Sequence, residues 1–192
     1  QICAGAGGPC QYKGKTMLNS KTGIETRFVL TSKDTDGQLL EMETAYPAHS
    51  QEPPPHYHPF QEEDFVVLTG EMTVRLDGQL RILRQGDTLH IPKNQVHSMW
   101  NHTGNKAVVN WKVRPALDSE YLFETATGLA NAGKTNAQGT PDILQSALLM
   151  NRFSQVFRLA KPPYPVQRFV FGLLALPGRL FGKSGWYAAY VD

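Results

Sequence analysis

Four of the chain's six histidines fall between Pro53 and Asn101, in PPPHYHPFQEEDFVVLTGEMTVRLDGQLRILRQGDTLHIPKNQVHSMWN, beside a cluster of acids. His56 and His58 are two residues apart, so on an extended strand both imidazoles project from one face. Glu62 and Glu63 follow closely, and a second histidine-bearing turn, with His97, comes some forty residues later. Neutral imidazole nitrogens and carboxylate oxygens gathered in this way suit a divalent transition metal.

The spacing of these residues also resembles that of a known family. His56, one residue, His58, four residues, Glu63, six residues and Gly70 resemble the first conserved motif of the cupins. Gly86, five residues, Pro92, then His97 and Asn101 resemble the second. The resemblance covers roughly residues 20 to 115, and it implies a small antiparallel barrel holding one metal ion. The ligands it implies are His56, His58, Glu63 and His97. Ser50 stands six before His56 and Asn94 two after Pro92, where the family usually has glycine. Asn enters the left-handed region more readily than other side chains and serves the same turn.

Around that set, other side chains compete for a role. The spacing to Gly70 favours Glu63 over Glu62 and Gln61, and strand alternation sends Glu62 to the opposite face. Glu63 is expected either to ligate permanently or to leave the metal and act as a general base. His90 alternates with Leu89 and Ile91; it is a candidate catalytic base should it face the cavity, and a plain surface histidine is the favoured expectation. Met99, two residues after His97, is placed in the pocket. On the last strand Val109, Trp111 and Val113 make one face, and Asn110, Lys112 and Arg114 the other. The apolar set is expected inside; Asn110 and Lys112, if inward, would anchor an anionic substrate. His49 and His102 sit in turn-like contexts and are assigned no function.

The elements that must position these groups read as an all-β chain with a helical end. IETRFVLT from Ile24, Leu39 to Tyr46, Asp64 to Leu68, the hairpin MTVRLDGQLRIL with its Asp77-Gly78 turn, Leu89 to Pro92, Val96 to Asn101 and Ala107 to Val113 are short strands at turn spacing. Pro53 to Pro55 keep the approach to His56 extended. The expected architecture is a cupin jelly-roll barrel over 17–115, preceded by a flexible or vector-derived lead-in over 1–16. A helical extension over 116–192 is expected to follow, with one helix from Asp142 to Ala160 and a shorter apolar segment from Val166 to Leu176 ended by Pro177-Gly178.

Composition bounds the partners. A net charge of +2 and 19% charged residues leave no footprint of a nucleic-acid binder. Cys3 and Cys10 would close only a short loop, so they leave the redox compartment open. The amino-terminal Gln points to processing or truncation, and QICAGAGG lacks the features of an intact secretory signal; a cytoplasmic location is the expectation. From Met150 onward six basic residues face one acid, Asp192. This basic, apolar tail is expected to cover the barrel or a homodimer partner; a membrane-surface anchor and a lid over the site are the less favoured alternatives.

The resemblance implies a mononuclear metal-dependent enzyme acting on a small organic molecule through dioxygenase, decarboxylase, isomerase, lyase or cyclase chemistry. Oxygenase or enolate-type chemistry is the expectation, at an ion of iron, manganese, nickel, zinc, cobalt or copper. The alternative is a non-catalytic, metal-dependent small-molecule binding or sensor module. A catalytic acid or base such as His90 or Lys112 inside the pocket would separate the two.

Overall fold

The computed structural model describes residues 13–191, and the cysteines lie outside them. Ten strands come first: β1 (Thr16–Leu18), β2 (Glu25–Leu30), β3 (Leu40–Tyr46), β4 (His56–Tyr57), β5 (Glu62–Thr69), β6 (Glu71–Leu76), β7 (Gln79–Arg84), β8 (Thr88–Ile91), β9 (His97–Trp100) and β10 (Ala107–Arg114). Then follow α1 (Ser119–Asn131), α2 (Ile143–Arg152), β11 (Arg158–Leu159) and α3 (Tyr164–Leu180). Two antiparallel sheets face each other, in the orders β1-β2-β3-β10-β5-β8 and β11-β4-β9-β6-β7. This is the expected all-β barrel with a helical extension.

The alternation read from the sequence sets which faces meet. Along β6 every second residue is buried, giving Met72, Val74 and Leu76, and these pack with Phe65, Val67, Ile91 and Val109 from the other sheet. The Asp77-Gly78 turn joins β6 to β7 with both residues at positive φ, 46° and 87°, the backbone of a tight hairpin. Gly70, between β5 and β6, has φ 78°, and a Cβ there would lie 2.8 Å from the Lys106 carbonyl oxygen. Only glycine fits both demands. Asn94 takes φ 67°, standing in for the missing glycine.

The amino-terminal and carboxy-terminal expectations need correction. β1 begins at Thr16, inside the expected lead-in, and Gly14 already donates its N–H to the Phe28 carbonyl. The helix expected to reach Ala160 stops at Arg152. The apolar spacing continues through Phe153 and Phe157 because the following turn also points inward, its N–H groups bonding back to Phe153. α3 runs past Pro177, whose missing N–H orphans only the Leu173 carbonyl, on the exposed side of the helix.

α1 was not anticipated. Its buried face carries Glu120 and Glu124, which hide the apolar stripe, and Gly128 sits in its interior. Both anomalies have partners: Lys15 reaches Glu124 at 2.7 Å, the Ser32 N–H donates to Glu120, and a Cβ at Gly128 would collide with the Tyr190 ring.

Asp142 caps α2 by accepting from the N–H groups of Leu144 and Gln145, and also meets the Lys183 ammonium at 2.7 Å. That ammonium bond outweighs burial and, with the capping N–H groups, holds the carboxyl below its usual range. The stabilisation is therefore complete above the unfolded carboxyl pKa and is lost as pH falls through the lower folded value. Asp142→Ala should cost about 1 kcal/mol in urea unfolding at neutral pH, and less in acid.

Candidate metal centre

The site is built where the two sheets meet at one end of the barrel. The proline run delivers β4 extended, and His56 stands directly across from His97 of β9. Glu63 comes from β5 in the other sheet, between Val113 of β10 and Ile91 of β8. One donor nitrogen from each of His56, His58 and His97 lies within 4.8 Å of the others. Each ring is fixed through its other nitrogen. Nδ1 of His56 bonds the Pro54 carbonyl at 2.9 Å, that of His58 the Val156 carbonyl at 2.6 Å, and that of His97 the Gln95 carbonyl at 3.0 Å. A carbonyl only accepts, so Nδ1 carries a proton in all three, and in the neutral ring each Nε2 presents a lone pair.

Those lone pairs converge on a carboxylate. Glu63 is 1% exposed; its Oε2 lies 2.9 Å from His97 Nε2 and its Oε1 3.3 Å from His58 Nε2. Neither approach is directed as a hydrogen bond, and Glu63 Oε2 and His58 Nε2 are both buried without one. Acceptors crowded in this way repel one another and incur the desolvation cost of unpaired polar atoms, unless a cation sits among them. Three imidazole nitrogens and one carboxylate oxygen are a donor set that fits a divalent transition ion, and they do not choose among iron, manganese, nickel, zinc, cobalt and copper.

The electrostatics agree for Glu63 and His56. Burial raises the Glu63 pKa, but the facing His58 and His97 rings overcome it and bring the carboxyl down to about 2. Burial, with the neighbouring His97 and His58, lowers His56 to about 3 and keeps it neutral. For His97, burial opposes charge, yet contact with Glu63 wins and its pKa rises. An ionised Glu63 and a neutral His56 are the states in which a metal binds, and at His97 an entering ion must displace the proton that Glu63 favours.

Residues 42–112 match the cupin domain model. The chain carries a cupin domain. A quercetin 2,3-dioxygenase of Bacillus subtilis is 42% identical over 72 residues, which are 38% of this chain and 21% of that protein. An oxidoreductase of Arthrobotrys oligospora is 30% identical over 111 residues, 51% of this chain and 44% of its own. The chain thus spans less than two thirds of the length of these curated relatives. Among solved structures, KdgF from Halomonas sp. aligns at 20% identity with a TM-score of 0.46, covering 54% of this chain and 90% of that one. A predicted oxalate decarboxylase from Thermotoga maritima aligns at 16% identity with a TM-score of 0.48, covering 55% and 94%.

The cupin site opens into a cavity of about 830 Å³, lined near the histidines by Tyr46, Phe65, Met99, Trp111, Phe123 and Phe157. Met99 is among the lining residues. His90 is not: its exposed ring lies on the outer face of β8, 2.8 Å from Asp64, because Leu89 and Ile91 take the inward positions. Asn110 and Lys112 are also outside the cavity. Both turn to Glu41 on β3, at 2.8 and 3.5 Å, since Val109, Trp111 and Val113 face in. His49 lines the cavity and bonds the His102 carbonyl; His102 is exposed.

Three contributions escape the sequence reading. The Trp111 indole donates to Glu63 Oε1 at 3.0 Å, a bond that inward orientation alone does not reveal. The extension supplies a strap: β11 pairs with β4, Val156 holds His58, and Phe157 stacks on His56 with ring centres 4.6 Å apart. Tyr46 is buried, and desolvation followed by the Glu63 charge pushes its phenol well above the ordinary range, so it stays neutral. Trp111→Phe keeps the packing against Phe65 but frees Glu63 Oε1; metal affinity should fall about 10- to 100-fold, measured by chelator competition.

Proposed function

We propose that this cupin is a mononuclear metal-dependent enzyme that acts on a small, largely apolar organic molecule by oxygenase-type chemistry. The observation that carries the reading is the convergence of three oriented imidazoles and one carboxylate beside an aromatic cavity, with His58 Nε2 and Glu63 Oε2 buried without a hydrogen bond. His56, His58, His97 and Glu63 would hold the ion. When bound, such an ion supplies a Lewis-acid or redox centre beside the substrate.

The chain's own groups define the rest. Tyr46 offers a neutral hydroxyl to an oxygen of the substrate, and Phe65, Trp111 and Phe157 supply flat walls that exclude water. Glu63 Oε2, which no hydrogen bond holds, is the atom placed to take a proton. A carboxyl near pKa 2 is a poor base, however, which favours lasting ligation and a substrate that brings an acidic hydroxyl of its own. The identity with a quercetin 2,3-dioxygenase supports a planar hydroxylated aromatic as the first compound to try.

The alternative is a metal-dependent binding module. One observation favours it: His90, Asn110 and Lys112, the side chains that could have served as an acid, base or anchor, all lie outside the cavity. Oxygen uptake by iron-loaded protein on addition of quercetin separates the two readings. Consumption that stops when Glu63→Gln is used supports the enzyme. Saturable quercetin binding by every metal form without oxygen uptake would replace the enzyme reading with the binding one.

A further inference from the structure

One surface of the described residues has no part in the cavity. Along α3, Val166, Phe169, Leu173, Leu176 and Leu180 recur at spacings of three, four, three and four, and they are 46%, 68%, 55%, 61% and 87% exposed. This periodicity places all five on one stripe. The opposite side of the helix is buried: Gln167 donates to the Leu159 and Pro162 carbonyls, and Gly178 lies so close to Leu148 that a Cβ would come within 2.9 Å. Phe181 and Trp186, 74% and 43% exposed, extend the apolar surface past the helix end.

The charge beside the stripe identifies what covers it. Arg168 and Arg179 are exposed and eleven residues apart, close to three full turns, so they lie on one flank. Lys161 adds an exposed charge before the helix. Between Ile143 and Val191 there is no Asp or Glu. Pairing α3 with a second copy would bury the stripes but leave the arginines unmatched. In an antiparallel pair the arginine flanks face each other, and in a parallel pair each faces a flank without an acid. No helix of the described residues is long and apolar enough to cross a membrane.

We infer that α3 is a membrane-surface anchor: its apolar stripe and the Phe181–Trp186 end enter the interface of an anionic bilayer, while Arg168, Arg179 and Lys161 contact the lipid phosphates. This reading is independent of the chemistry in the barrel.

The test is flotation of the full chain with phosphatidylcholine vesicles, with and without phosphatidylglycerol, beside light scattering of the free protein. Binding should require phosphatidylglycerol and weaken with salt. Arg168→Gln with Arg179→Gln should weaken it roughly thirtyfold, as expected for two cations near a charged surface. Leu173→Glu, an exposed position, should abolish it with unchanged circular dichroism. Failure of the wild type to float with anionic vesicles overturns the inference, as does equal flotation with phosphatidylcholine alone. A wild type that stays in solution as a dimer, and becomes monomeric with Leu173→Glu, identifies a second copy as the occupant instead.

Discussion

Alanine at position 97 should remove the metal. Protein prepared without chelator or affinity tag should carry about one equivalent of a transition ion, and His97→Ala should fall to background by elemental analysis, with affinity down by more than about 100-fold. His97 is chosen because it is 4% exposed, opposes His56 in register and makes the 2.9 Å approach to Glu63. Losing it removes one donor and the partner that helps keep Glu63 ionised.

Stability provides a second reading of the same variant. An ion that binds only the folded chain stabilises it by about 4 kcal/mol when present at a thousand times its dissociation constant. Chelation should therefore lower the unfolding midpoint of the wild type and leave that of His97→Ala unmoved. A wild type that holds no metal after reconstitution and ignores the chelator would sink the metal centre. His58 Nε2 and Glu63 Oε2 would then be groups that meet a polar ligand directly.

The barrel and its four converging side chains were legible because their signals are local. A strand alternates with period two, Asp77-Gly78 takes the backbone of a tight hairpin, and His56 and His58 share a face by counting alone. What escaped depends on contacts between distant segments. His90 sits on a strand whose inward positions are taken by Leu89 and Ile91, and its partner is Asp64, 26 residues away. Asn110 and Lys112 lie outside, as the inward apolar set requires, but the partner that holds both, Glu41 on a neighbouring strand, is remote in sequence. α1 was hidden because two of its buried residues are glutamates whose partners, Lys15 and Ser32, lie some ninety or more residues earlier. That the tail covers the barrel is an expectation of the sequence; which of its residues reach the site is not legible there. Val156 contributes only its carbonyl, a group every residue has, and its target His58 is 98 residues away.

Phe153→Ala should test whether that strap belongs to the site or merely lies over it. Phe153 is fully buried, packs with Leu129, Leu149 and Val156, and its carbonyl accepts from the N–H groups of Val156 and Phe157 at 2.8 and 2.9 Å. Truncation of such a phenylalanine costs about 3–5 kcal/mol, because the cavity it leaves closes only in part. The same ring fixes the turn that carries Val156 to His58 and Phe157 to His56. Loosening it should free the His58 ring to rotate, and metal affinity should fall about 10- to 100-fold under conditions where circular dichroism shows the variant folded. Leu129→Ala, in the same cluster but on α1, supplies the control: it should cost about 2–5 kcal/mol with metal affinity retained. If both variants lose stability and neither loses metal, the His58 orientation is held by the barrel alone. If only Phe153→Ala loses metal, the extension completes the site, and removing it would leave a barrel with the right ligands and the wrong geometry.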